Sequence, residues 1–318
     1  MKTRRGLPFV CTHYMRALLG GIIARVQRDN KVTISHMLWM TNHVHIIITA
    51  LDQRQACKFH GEIKKHLTEA IKKLLGKEHL NLWKANGSSV VPYGDVAGLV
   101  KQIAYIYANP ARANLINTVT DYPGLNTHSA FLESLSDPNA KVSEQFAWIR
   151  SRYISKLMSR KLTDTQDRAL LGTLLKRTKQ SFPLVIEPNA WMKAFKITSP
   201  EEVADTNRQI LAELFEYEEK ARSERLRANK GVYGAKSLRR APLTLDYQGK
   251  PDSVNLFCYA LDPEIRKTMI RQYREFCIQC AECYAQWKRG NFTVSWPPGA
   301  LLPALPPTFN WVHHLVEA

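Results

Sequence analysis

Lys31 to Ala50 reads KVTISHMLWMTNHVHIIITA. Val32, Ile34, His36 and Leu38 fall at alternate positions, the period-2 signature of a half-buried strand over Lys31 to Trp39. Thr41-Asn42 makes a polar turn, and His43 to Ala50 forms a second strand rich in β-branched residues. So short a connection predicts an antiparallel hairpin.

Working outward, residues 14–29 predict an amphipathic helix despite the pair Gly20-Gly21. Residues 54–76 predict a basic helix carrying Lys58, Lys64, Lys65, Lys72 and Lys73. Asn86-Gly87-Ser88-Ser89 reads as a loop. Asp95 opens another helix, running through Val100, Ile103, Ile106 and Tyr107 until Pro110 stops it. Past residue 125 the pattern becomes helices joined by polar breaks. Ser199-Pro200-Glu201-Glu202 is a capping box with proline at the first helical position, and its helix should reach Asn229-Lys230 before Gly231. Residues 262–288 also read as helix, and the prolines from Pro297 to Pro307 imply extended chain over the surface.

The chain has 318 residues, of which 45% are hydrophobic, a balance that excludes an intrinsically disordered or collagen-like protein. No apolar run approaches the ~18 residues of a membrane span, and no apolar stretch follows Met1 to Gly6 as a signal peptide requires. A soluble, intracellular protein is expected. The net charge is +17, which favours polyanionic partners, nucleic acid foremost. Residues 1–125 hold 17 basic and 7 acidic side chains, against 28 and 21 in the remainder, so the first part is the more basic per residue. The six cysteines carry no expectation of disulfides in that compartment. Cys277, Cys280 and Cys283 have metal-like spacing, but they fall in a helical pattern where free cysteine packs as a small apolar residue. A zinc site there would need Cys258 or His313/His314 as a further ligand.

His43 and His45 are two apart on a strand, so both imidazoles present to one face while Val44 enters the core. Such a pair is either half of a divalent-metal site or two polar residues on a solvated face. Tyr105 and Asn109 are four apart and share one helix face. The Asn109 amide oxygen can act as a neutral third ligand, which places the Tyr105 hydroxyl beside the same metal. A tyrosine is a poor nucleophile at neutral pH, and becomes useful where a metal neutralises charge on a reacting phosphate. Tyr107 competes for that role, but it points about 200° away round the helix and cannot share the face of Asn109.

The two stretches Trp39-Met40-Thr41-Asn42-His43-Val44-His45-Ile46-Ile47 and Tyr105-Ile106-Tyr107-Ala108-Asn109-Pro110-Ala111-Arg112-Ala113 resemble, in order and spacing, the signatures of single-tyrosine HUH transposases, and within them the REP-associated tyrosine transposases. The resemblance covers roughly residues 5–125. It implies an α+β, ferredoxin-like catalytic domain over residues 1–125, with an antiparallel sheet and helices on one face. A mostly helical DNA-binding or accessory region, 126–318, would follow with its Pro-rich tail. It further implies Mg²⁺ or Mn²⁺ held by His43, His45 and Asn109, and Tyr105 attacking single-stranded DNA to leave a 5′-phosphotyrosine and a free 3′-OH. The family's fold opens with a strand beside the His-bearing one. Only Met1 to His13 precedes the first helix here, so that strand is expected to be abbreviated or the chain start truncated.

Basic side chains expected at the DNA are Arg4, Arg5, Lys64, Lys65 and Arg112, with Arg225, Arg227, Lys230, Lys236, Arg239 and Arg240 gripping a hairpin stem. Trp83 and Tyr93 either stack unpaired bases or pack in the interior. With one nucleophile per chain, a two-end reaction needs sequential use or a homodimer. The alternatives are a catalytically silent DNA- or RNA-hairpin binder, a replication-initiator or relaxase-type nicking enzyme, and a zinc-dependent regulator built on the three clustered cysteines.

Overall fold

The computed structural model describes residues 1–84, 90–154, 163–248 and 258–304. The loop expected at Asn86 to Ser89, the Pro306-Pro307 part of the tail and His313/His314 lie outside them.

The predicted hairpin forms as β1 (Thr33–Trp39) and β2 (Val44–Thr49), antiparallel, with Trp39 opposite Val44 and Leu38 opposite His45. β1 is buried from Ile34 to Trp39, not half-buried as expected. The reason is that both faces of the sheet are covered. Ile34, Met37, Trp39 and Val44 pack with Leu18 and Ile22 of α1 (His13–Asn30) and with Ile63 and Leu67 of α2 (Gln53–Leu75). Leu38 and Ile47 pack instead with Ile103, Ile106 and Tyr107 of α3 (Val96–Arg112). The expectation of helices on one face is therefore corrected: apolar residues on both sides of β1 require a layer on each.

The sheet does not end near residue 125. Helix α4 (His128–Glu133) leads to β3 (Val142–Ala147), and α5 (Asp164–Lys176) leads to β4 (Ser181–Ile186). The strand order is β2-β1-β4-β3, with β4 parallel to β1 and antiparallel to β3, so the sheet is mixed where an antiparallel one was expected. The second correction follows: residues 126–186 are not simply helical. Both strands disguise themselves locally. Ser143, Glu144 and Gln145 of β3 are exposed at an edge, and Pro183 interrupts β4, a residue that ordinarily demotes a strand. One pair of Cα partners, Ile34 and Ile186, joins β4 to β1. On that side Gln27 of α1 satisfies Val185: its amide donates to the Val185 carbonyl (2.7 Å) and accepts from the Val185 N–H (2.9 Å).

Met1 to Thr3 run beside the first residues of β2 as a short antiparallel bridge, with Lys2 opposite His43. The Met1 amine donates to the Val44 carbonyl (2.9 Å), the Val44 N–H returns a bond to Met1 (2.8 Å), and the Thr3 N–H donates to Asn42 (2.9 Å). The position beside the His-bearing strand is thus filled by a stub.

Pro110 does not end its helix; α3 continues to Arg112. A proline removes its own N–H and crowds the carbonyl four residues back, which costs one rung, and this close to the end the helix tolerates it. Helix α6 (Pro200–Arg227) lies across the outer side of α3, opened by the predicted capping box with both arms made. It ends at Arg227, two to three residues short of the expected Asn229-Lys230, and Asn229 just beyond is left-handed (φ 47°). The loop after it is pinned to the chain following α3, since the Tyr233 and Gly234 N–H groups donate to Asn114 (2.9 Å) and Leu115 (2.8 Å). The short α7 (Ala235–Arg239) follows, then α8 (Pro263–Lys288). Cys283 alone is buried on α8, its thiol donating to the Ser295 carbonyl (3.3 Å), while Ile265 and Met269 lie against Gly94, so the continuous core face expected there does not form. No helix among the described residues is long and apolar enough to cross a membrane.

Candidate active site

β2 alternates as the spacing requires. Val44, Ile46 and Ile48 face α1 and α2, which turns His45 and Ile47 toward α3. His43, one residue ahead of the strand, shares that side: the two imidazoles lie 5.2 Å apart between ring centroids, at 89°. The Asn42 side-chain oxygen lies 2.7 Å from His43 Nδ1. A proton on Nδ1 donated to that oxygen leaves the ring's ligating lone pair on Nε2. Burial, then His43, then the chain's amino group lower the His45 pKa to about 3. Its ring is therefore the neutral form that ligates metals.

α3 brings Tyr105 onto this pair. Its ring centroid lies 6.1 Å from that of His45, again at 89°. Asn109 sits one turn further along the same helix face. It is buried, and its side-chain amide nitrogen has no hydrogen-bond partner. A half-turn about the last torsion exchanges the amide's oxygen and nitrogen, so this buried polar end is open to a ligand. Two imidazole nitrogens and one amide oxygen are a donor set for a borderline divalent cation such as Mn²⁺, and a weaker one for Mg²⁺, which prefers oxygen ligands. The Arg112 guanidinium, exposed, stands 4.5 Å over the Tyr105 ring. Tyr107 points the other way into the interior. It is fully buried, its hydroxyl 2.9 Å from His36 Nδ1 and 3.0 Å from Thr127 Oγ1, and burial pushes its pKa up.

The basic candidates divide. Arg4 and Arg5 are exposed on the segment that follows the stub beside β2, and the Arg4 N–H is tied to Leu82 (2.8 Å). Lys64 is half-buried over the Trp83 ring (5.7 Å), and its ammonium helps depress the amino group that in turn lies against His45. Lys65, one residue on, is exposed. Arg227, Lys230, Lys236, Arg239 and Arg240 are exposed, with Arg239 3.3 Å from His13 Nε2. Arg225 is a correction: it is buried, donating to the Ala111 carbonyl (3.2 Å) and to Asn117 Oδ1 (2.8 Å). That guanidinium satisfies the carbonyl end of α3 instead of facing DNA. Trp83 packs against Phe9, and its indole N–H is shared between the Lys64 carbonyl and Thr68, which removes it from a stacking role. Tyr93 packs against Tyr259, with ring centroids 5.7 Å apart.

Sequence reasoning missed Tyr217 of α6 and Tyr259, both beside the open face of α3. Neither sits in a motif. A cavity of about 470 Å³ lined by His13, Arg16, Tyr122, Asn126 and Arg239 contains none of His43, His45, Tyr105 or Asn109. Among the described residues, no three His, Cys, Asp or Glu side chains gather as a metal group, Cys277, Cys280 and Cys283 included. Compared with protein-family models, curated proteins and solved structures, the chain matches none.

Proposed function

We propose that the chain is a metal-dependent, tyrosine-nucleophile strand transferase that cleaves and rejoins single-stranded DNA, at a target marked by a hairpin. The observation carrying this reading is the approach of Tyr105 to the His43/His45 pair, 6.1 Å from the His45 ring. Residues from two motifs about 60 positions apart in the chain thereby share one surface. Membership of the single-tyrosine HUH transposases, and of the REP-associated group, is part of the same proposal and rests on those motifs.

A divalent cation held by His43, His45 and Asn109 would withdraw charge from the scissile phosphate. The Tyr105 oxygen attacks phosphorus, a P–O bond to tyrosine forms, and the P–O3′ bond breaks. The tyrosine's proton passes to solvent and one returns to the departing 3′-oxygen, so the free 3′-OH is left and the bond energy stays in the 5′-phosphotyrosine. A second 3′-OH reverses the step. Arg112 over Tyr105 and Lys64 near the Met1 amino group supply charge to neighbouring phosphates. The burial of Tyr107 favours Tyr105 as the nucleophile.

The test mixes the full chain with single-stranded oligonucleotides from DNA flanking its gene and resolves the products on a denaturing gel. A shifted band that needs Mn²⁺, is absent with EDTA and is lost in Tyr105→Phe is expected. A hairpin oligonucleotide bound tightly with no adduct under any of these conditions would replace the reading with a silent hairpin binder.

A further inference from the structure

Gly98, Lys101, Tyr105, Asn109 and Arg112 recur at three- and four-residue steps and so form one stripe along α3. Two tyrosines from distant segments flank that stripe. At its start, the Tyr259 ring lies on the helix where Gly98 has no side chain: a Cβ there would meet ring carbons at 3.2 and 3.3 Å. The segment is held in place, since Tyr259 exchanges backbone bonds with Pro92 (3.0 Å) and Gly94 (2.9 Å), and Asp95 accepts from the Leu261 and Asp262 N–H groups. From α6, Tyr217 lies 6.0 Å from the Arg112 guanidinium that also covers Tyr105. Both rings are half-exposed. Burial raises both hydroxyls above the ordinary tyrosine range; at Tyr259 the next cause is Tyr217, with Tyr105 a smaller contributor to each, so the three hydroxyls are neighbours. The cations differ in freedom: Lys101 is 3.9 Å from Glu213, whereas Arg112 is exposed over its two rings.

We propose that Tyr259 and Tyr217 are neighbouring stacking sites for unpaired bases beside Tyr105, with Arg112 and Lys101 next to the phosphates of those nucleotides. This rests on the reading above for the substrate class, single-stranded DNA. Stacking on an aromatic ring needs no particular base, so these sites add affinity and place the strand, while sequence choice lies elsewhere.

The experiment is fluorescence anisotropy of a labelled single-stranded oligonucleotide that carries the cleavage site, with the full chain in EDTA so that binding is read without reaction. An abasic nucleotide is moved through the oligonucleotide one position at a time. Wild type is expected to lose about tenfold in affinity at two neighbouring positions beside the cut. Tyr217→Leu and Tyr259→Leu should each weaken the intact strand about tenfold and be insensitive to an abasic site at one of those positions, while the Phe variants bind as wild type. A flat abasic scan with wild type overturns the proposal whether or not the Leu variants fold. So does equal binding of the intact strand by folded Leu variants and wild type. If the abasic scan shows the two positions but no covalent adduct ever forms, the strand-transferase reading fails and the stacking sites stand.

Discussion

Tyr105 and Tyr107 are two residues apart on one helix, and their surroundings assign them different work. Tyr107 is closed in by His36 and Thr127. Removing its hydroxyl leaves buried partners unsatisfied, so Tyr107→Phe should cost ~1–3 kcal/mol of stability while each folded molecule still forms the adduct. Tyr105→Phe should do the reverse, and urea midpoints measured beside adduct yields separate the two. His36 makes a pH prediction. Burial pulls its pKa down to about 3, against the opposing pull of the Pro188 carbonyl, while the unfolded value is ~6.5. Below ~6.5 the unfolded chain therefore takes up a proton that the folded chain refuses. Its contribution to stability is full above that pH and drains away between ~6.5 and about 3, by up to ~1.4 kcal/mol per unit. Urea midpoints at pH 7.5 and 5.5 should fall more steeply for wild type than for His36→Gln; equal slopes would contradict this.

At the scale of elements, α1 shows how a local signal and its cause can come apart. Its helix was readable from the apolar pattern, yet the reason for Gly20-Gly21 lies across the fold. A Cβ at Gly20 would overlap the Phe146 ring, and one at Gly21 the Ala147 carbonyl oxygen, so the pair admits β3 against the helix. Gly21→Ala gains ~1 kcal/mol in helix propensity but forces backbone apart, and overpacking of ~1–3 kcal/mol should leave it less stable. Gly61→Ala on α2 and Gly172→Ala on α5 meet nothing within 4 Å and should be stabilising by ~0.5–1 kcal/mol. Thermal melts of the three variants check the contrast. The same non-local cause hid β3 and β4. Periodicity and turn chemistry revealed the hairpin because its information is contained within twenty residues. β4, broken by Pro183, is held by Gln27 and by pairing with β3, neither of which its own sequence announces. Likewise the four residues of the candidate site were legible because each pair sits at strand or helix spacing, whereas Tyr217 and Tyr259 join them only through the packing of α6 and the Tyr259 segment on α3.

Over the whole molecule, a net charge of +17 gives a general attraction for nucleic acid, and the fold decides which cations can use it. Arg225 and Arg227 are two residues apart on α6 in the dense basic run, yet one is buried under the end of α3 and the other faces solvent. Arg227→Ala, Lys230→Ala and Arg240→Ala are each expected to reduce the slope of log affinity against log salt by about 0.7–0.9, for the single-stranded and duplex parts of a hairpin, if the side chain contacts a phosphate. Arg225→Met should leave that slope unchanged and lower the melting temperature. Titrations of a hairpin oligonucleotide at several salt concentrations decide it.

The central claim is that Tyr105, set against the His43/His45 pair, is the attacking group. Its most direct measurement is mass spectrometry of the proteolysed covalent complex formed with single-stranded DNA and Mn²⁺. The account predicts a nucleotide 5′-phosphate attached to the Tyr105 side chain, with Tyr107 of the same peptide unmodified. Attachment at Tyr107 or at any other residue, or no attachment with DNA that the protein binds, would contradict it.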